Sequence, residues 1–361
     1  MPERATTEVP AGFARALLAA AFLILCSGCT TLQYYAQSVS GQMEVLAHRR
    51  PIAEVLDDPA VPGPVKDSLR TVREIIAFAH QELLLPDNGS YGSYADLGRP
   101  HVAWNVFGAP ELSLEPLRWC FPVAGCLSYR GYFDRADAKA YAALLAARGF
   151  DVHVAGVAGY STLGWFADPV LDSMLRRTEA DLARLLFHEL AHQKLYLSGD
   201  TELNEAFADA VALIGVQEWE KRFPDRVDPG FHDDLAIETA FVNLVLAYRG
   251  LLRGIYGSGI DNDAKRAQKQ ALFSALPADY DVQKRRSGDN GTYDDWFASG
   301  INNARLAALS TYRELVPLFL NAYRDTDNNL ELFYARIDEL KSCDRNDRIR
   351  RLRDGLLPGA C

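Results

Sequence analysis

The sequence has no surplus of positive charge: Lys and Arg number 38 against 48 Asp and Glu in 361 residues, a net charge of −10. Proteins that hold nucleic acid through phosphate contacts carry the opposite balance, so nucleic acid is not an expected partner. Low-complexity tracts and repeats of solenoid period are also missing, which excludes tail-like and repeat architectures. Cysteine is scarce, six residues in all. The four beyond residue 29 contain no C-x-x-C pair, so a cysteine-ligated zinc site is not expected. What is there is ordinary globular material, 48% hydrophobic and 24% charged. It suffices for one large domain or two moderate ones.

The first stretch stands apart. Arg4 and Arg15 precede an apolar run, Ala16 to Leu25, too short to span a bilayer comfortably. It ends in Leu25-Cys26-Ser27-Gly28-Cys29, small residues just before a cysteine. This resembles a bacterial lipoprotein signal, with Cys26 where leucine is usual. The resemblance implies removal of residues 1–28 and lipid on the Cys29 thiol. Thr30 and Thr31 put no aspartate after that cysteine, which implies the outer membrane of the cell envelope, facing the periplasm. An ordinary secretory signal is the alternative, and either takes the protein out of the cytosol. There Cys120, Cys126, Cys343 and Cys361 are expected as disulfides. Three pairings exist, and chain proximity favours Cys120–Cys126 with Cys343–Cys361.

Leu32 to Asp57 and Val65 to Leu85 read as helices, the first interrupted at Pro51. From about Tyr91 the texture changes to β-branched and aromatic residues with frequent glycine. His101–Phe107, Leu127–Phe133 and Val152–Val157 read as strands, and Ala136–Arg148 as a helix across a small mixed sheet. From Pro229 the pattern is helical again, over Leu235–Arg253, Asp263–Leu276, Asn302–Tyr323 and Leu330–Leu340.

The chemistry concentrates in Leu185 to Asp209. Thr178-Glu179-Ala180-Asp181 opens a helix carrying His188-Glu189-x-x-His192, and Ser198-Gly199 closes it. Residues four apart share a helix face, so both imidazoles can aim at one metal ion with Glu189 beside them. A catalytic zinc takes three protein ligands and leaves a fourth position for water. Glu205, in Asn204-Glu205-Ala206-Phe207-Ala208-Asp209 on the next helix, is the natural third ligand. Asp200 or Thr201 would cap that helix. The step from His192 to Glu205 is short, so Asp209 and Glu202 stand as alternatives.

HELAH followed by NEAFAD resembles the gluzincin branch of zinc peptidases. That resemblance implies one zinc ion per chain on His188, His192 and Glu205, with Asp209 supporting a ligand histidine. It also implies peptide hydrolysis by Glu189-assisted attack of a zinc-bound water. The leader, the Trp119–Cys126 run, YSTLGWF at 160–166 and the HELAH–NEAFAD core are together similar to bacterial zinc-dependent aminopeptidase lipoproteins, over nearly the whole chain. No G-x-M-E-N stretch, the amine anchor of familiar gluzincin aminopeptidases, is present. An envelope endopeptidase and a metal-stabilised scaffold therefore stand as rivals to the aminopeptidase.

In peptidases of this architecture a sheet edge binds extended substrate. Tyr160, Ser161, Thr162, Leu163 and Gly164 have the place in the chain for it, and a core hairpin is the competing reading. Tyr312 is the expected oxyanion donor, with His232 and Tyr160 in competition. His48, His80, His101 and His153 lack partners at ligand spacing and read as structural. The expected fold is α+β, predominantly α: a zincin-like metallopeptidase with a small mixed sheet, an HExxH helix and a helical C-terminal lobe. Its segments are the signal (1–28), a helical region (29–90), the catalytic core (91–220) and the lobe (221–361). Expected partners are a peptide or protein substrate and the membrane through the lipid; the oligomeric state is left open.

Overall fold

The computed structural model describes residues 32–121, 125–159, 161–162 and 166–356. Helix α1 covers 32–47, followed by strand β1 (Arg49–Pro51), α2 (Ile52–Asp57), α3 (Gly63–Gln81) and β2 (Ser93–Ala95). The helix expected over 32–57 is thus divided. Pro51 has no amide hydrogen and disfavours helix before it, so Arg49–Pro51 pairs with β2 as an edge strand and α2 starts after it.

Next come β3 (Ala103–Pro110), β4 (Trp119–Phe121), β5 (Gly125–Leu127), β6 (Arg130–Tyr132), α4 (Arg135–Ala146), β7 (Phe150–Val157) and β8 (Val170–Leu171). They form two three-stranded sheets and a hairpin rather than one mixed sheet. Mixed pairing occurs in β1-β2-β8, where β2 runs parallel to β8. The β6-β3-β7 sheet is antiparallel throughout. Cys120 and Cys126 face each other across β4–β5 and are joined as a disulfide. Cys343 is buried, and Cys361 lies outside the described residues.

The remaining helices are α5 (Glu179–Lys194), α6 (Thr201–Arg222), α7 (Phe231–Gly257), α8 (Asn262–Ser287), α9 (Asp294–Ala298), α10 (Asn303–Arg313), α11 (Val316–Arg324), α12 (Leu330–Asp338) and α13 (Arg345–Arg353). Helix α8 runs straight through Pro277, where a stop was expected. Leu276 and Tyr280, on either side of that proline, are buried in one cluster with Phe241 and Val245 of α7. This packing outweighs the roughly 3 kcal/mol that an interior proline costs. The helix expected over 302–323 is instead broken at Glu314-Leu315, ahead of Pro317, into α10 and α11.

One large core runs from α3 through α5 and α6 to α11, α12 and α13. Helix α6 is apolar nearly all round and lies inside it. Gly215 lets α6 approach closely: a Cβ there would sit 2.5 Å from Phe187 Cδ2 and 2.7 Å from Leu83 Cδ1. Around the β6-β3-β7 sheet the two-residue alternation sorts side chains cleanly. Val106, Val152 and Val154 pack with α4 on one face. Phe107 and Ala155 pack with Ala304 and Ala308 of α10 on the other. Helix α10 also touches α6, so it ties the sheet to the motif-bearing helices.

Candidate metal centre

Thr178 caps α5: its Oγ1 accepts from the Asp181 amide at 3.3 Å and donates to Asp181 Oδ2 at 2.8 Å. The helix ends at Lys194, earlier than Ser198-Gly199, and six residues, Leu195 to Asp200, lead into α6. The buried Asn204 clamps this turn. Its Nδ2 donates to Leu197 O at 2.9 Å and its Oδ1 accepts from Leu197 N at 2.7 Å. Asp200 occupies the cap position but makes no side-chain cap bond. Its buried carboxylate takes Arg345 and Arg348 of α13 instead. This short, doubly pinned connection is how Glu205 reaches the histidines across so few residues. Glu202, an alternative ligand, pairs with Arg345.

His188 Nε2 lies 3.2 Å from His192 Nε2 and 3.3 Å from Glu205 Oε2, and His192 Nε2 lies 3.5 Å from the same oxygen. Donor atoms about 2.0–2.1 Å from a zinc ion at tetrahedral angles stand about 3.3 Å apart. The triangle therefore fits a first-row metal ion, with three donors of the right chemistry and none from sulfur.

Asp209, the other alternative ligand, is turned to the far side of His188: its Oδ1 accepts from Nδ1 at 3.0 Å, which fixes the tautomer that leaves Nε2 free. Burial pulls the His188 imidazole down, but Asp209 and Glu205 outweigh it and push it up to about 10 in the metal-free protein. Burial likewise raises Glu205, yet His192 and His188 carry it down to about 2. Glu189 differs from both. It makes no hydrogen bond or ion pair with a described residue, and burial, opposed by His188 and His192, pushes its carboxyl up.

Two cavities meet at this centre. One, about 560 Å³, lies between β7, α5 and α10; the other, about 400 Å³, lies between α1, β6 and α6. Asn105, Val157, Gly159, His188 and Glu189 border both. The backbone at Gly159 passes close to the site, where a Cβ would lie 2.5 Å from Met174 Cε and 3.7 Å from Glu189 Oε1.

Several groups around the centre carry no local signal in the sequence. Arg313 Nε of α10 faces Asp209 Oδ2 at 3.4 Å and its guanidinium also pairs with Glu238 of α7. Arg184, one turn before His188, binds Glu238 through both nitrogens. Tyr129 lines the smaller cavity, and burial and the nearby Glu205 and Glu189 push its hydroxyl far up. His153, read as structural, faces the larger cavity. Alternation along β7 could have found it, since His153, Ala155 and Val157 share a face.

The strand expected at 160–164 is not one where it is described. Ser161 and Thr162 form a loop held by the buried Asp168, which accepts from Thr162 N at 2.8 Å and Thr162 Oγ1 at 2.7 Å. Tyr160, Leu163 and Gly164 lie outside the described residues. The strand that ends at the site is β7, which among the described residues pairs only with β3. Tyr312 is on α10, but its side chain lies outside what is described. His232 is exposed and bound to Glu220 at 2.7 Å, away from both cavities. Cys29 is outside the described residues.

Residues 33–352 match the family model described as "Putative aminopeptidase". The chain belongs to this family. The match runs from the first turn of α1 to the last turn of α13, so the His188–His192–Glu205 triangle, both cavities and the arginine network all fall within the family's extent. Comparison with curated proteins and with solved structures gave no match.

Proposed function

We propose that the chain is a zinc-dependent peptidase of gluzincin type with a zincin-like catalytic core, and that it acts as an aminopeptidase. The observation that carries this reading is Glu189, buried beside the His188–His192–Glu205 triangle with no hydrogen bond or ion pair to a described residue, and bordering both cavities. A purely structural metal site has no use for such a carboxylate, which is the argument against a metal-stabilised scaffold.

His188, His192 and Glu205 would hold the ion. Zinc, when bound, supplies Lewis acidity and lowers the pKa of a water towards about 7. Glu189 takes the proton of the attacking water and passes it to the leaving amine, and a raised pKa suits both transfers. Among the hydroxyls that line the smaller cavity, Tyr129, which lies near both Glu189 and Glu205, is our choice over Tyr312 to hydrogen-bond the developing oxyanion. The edge of β7 that pairs with no described strand offers amide and carbonyl groups to an extended peptide at its end by the site, Asn302 Nδ2 holding Val152 O farther along.

Endopeptidase action is the second reading, favoured by the cavities on both sides of Glu189, which leave room for substrate beyond either end of the scissile bond. A diverse peptide library with free and acetylated amino termini separates the two. Cleavage confined to free termini supports the aminopeptidase, and equal cleavage of acetylated peptides supports the endopeptidase. No cleavage by stoichiometrically zinc-loaded protein defeats the enzymatic reading. We also propose that Cys29 carries lipid and holds the protein at the outer membrane, facing the periplasm. Cys29→Ser should then move the protein from the detergent phase to the aqueous phase on phase separation.

A further inference from the structure

Four arginines border the 560 Å³ cavity, and three of them have acidic neighbours. Arg184 and Arg313 pair with Glu238. Arg177 feels Asp181 and Glu189. Arg305 is different. It is 8% exposed and has no ion pair with a described residue. Among the described residues its side chain makes one hydrogen bond, from Nη1 to Gly300 O at 3.2 Å, and its buried Nε has no partner there. The guanidinium lies over Trp296, its Cζ 4.8 Å from the ring centroid, a contact that helps hold it in place. Burial alone acts on it, pulling its pKa down, with no carboxylate to offset the effect. The polar neighbour on that wall, His153, is carried down to about 4 by burial and by Arg305, so it is neutral at pH 7 and does not compensate either.

A desolvated, oriented cation without a counter-ion is costly to keep, and it faces the cavity that ends at Glu189. Its planar fork suits a carboxylate in two-point contact. We propose that Arg305 is the anion-binding residue of a substrate subsite in this cavity, and that its ligand is a peptide carboxylate. The source is either an acidic side chain or the carboxyl terminus of a short peptide. The proposal rests on the peptidase reading above.

The test uses zinc-loaded full-length protein and two kinds of peptide pair: Glu against Gln at positions on either side of the scissile bond, and free carboxyl terminus against its amide. In one kind of pair the carboxylate member should be cleaved with kcat/KM at least about tenfold higher, and the pair that shows it identifies the source. Arg305→Met should bring that ratio close to one, and Arg305→Lys should keep part of it. Arg305→Met should also melt no lower than the parent, because it removes an uncompensated buried cation, whereas loss of a structural residue would lower the melting temperature. Equal cleavage of both members by the parent protein, or an undiminished ratio in Arg305→Met, overturns the proposal. If Arg305→Met does not fold, the parent's ratio and Arg305→Lys still decide it. Calorimetric binding of the same pairs to Glu189→Gln reads the subsite without turnover. Failure of all hydrolysis would sink the peptidase reading, while a carboxylate preference in binding would still uphold the subsite.

Discussion

His188 Nδ1 donates to Asp209 Oδ1 at 3.0 Å while Arg313 Nε faces the other Asp209 oxygen at 3.4 Å, so one carboxylate joins the metal triangle on α5 and α6 to α10. Arg313 and Arg184 share Glu238 of α7, which extends the chain of charges to a fourth helix. His188 is therefore aimed by groups that are themselves held. Asp209→Asn keeps the shape but can present a donor to Nδ1 and favour the wrong tautomer. We expect metal affinity to fall about 10- to 100-fold, measured by competition with a chromophoric chelator, with the far-ultraviolet spectrum unchanged.

What could be read from the sequence was what is local. His188, Glu189, His192, Glu205 and Asp209 sit at fixed spacings on two consecutive helices, and helix geometry puts those on each helix on a common face. Arg184, Glu238, Arg313 and Arg305 come together only through the packing of α5, α7 and α10, and no periodicity announces that. The substrate edge was placed at 160–164 because those residues precede the metal helix, yet β7 ends just before them and is the strand beside the site. Proline misled the reading twice: a helix expected to run through Pro317 breaks ahead of it, and one expected to stop at Pro277 continues, since packing on α7 decides the second.

Metal binding should be linked to protons. In the metal-free protein Asp209 and Glu205 hold His188 up to about 10, so it carries an extra proton at neutral pH that a ligand cannot keep. Glu205, down to about 2, has none to give. Apparent zinc affinity should weaken about tenfold per unit as pH falls below about 10, where His188 gains its proton, with at least about one proton released per ion at pH 7. Calorimetry in two buffers of different ionisation enthalpy counts those protons. A pH-independent affinity would contradict the coupling.

Two substitutions separate the base from the hydroxyl. Glu189→Gln should retain zinc and lower kcat by about 100-fold or more, because the replacement can neither accept nor deliver the proton. Tyr129→Phe should lower kcat by about 100-fold with little change in KM, since its hydrogen bond forms only as charge develops on the substrate oxygen. Single-turnover rates on one fluorogenic peptide, with zinc content checked for each variant, measure both. A Tyr129→Phe enzyme with normal kcat would return the oxyanion role to another donor.

Gly215 bears on the site through the fold. It lies in mid-helix, where glycine costs roughly 1 kcal/mol relative to alanine, so Gly215→Ala would stabilise an isolated helix. In the folded protein the added methyl would meet Phe187 at 2.5 Å and Leu83 at 2.7 Å, both nearly fully buried and unable to retreat. Overpacking of this kind costs about 1–3 kcal/mol and exceeds the gain in propensity. Phe187 immediately precedes His188, so the strain is applied next to the proposed metal site. The expected result is a lower melting temperature together with weaker zinc binding, read by calorimetry on metal-loaded and metal-free samples. A Gly215→Ala protein that melts higher than the parent in both states would show that α5 and α6 have slack at their crossing.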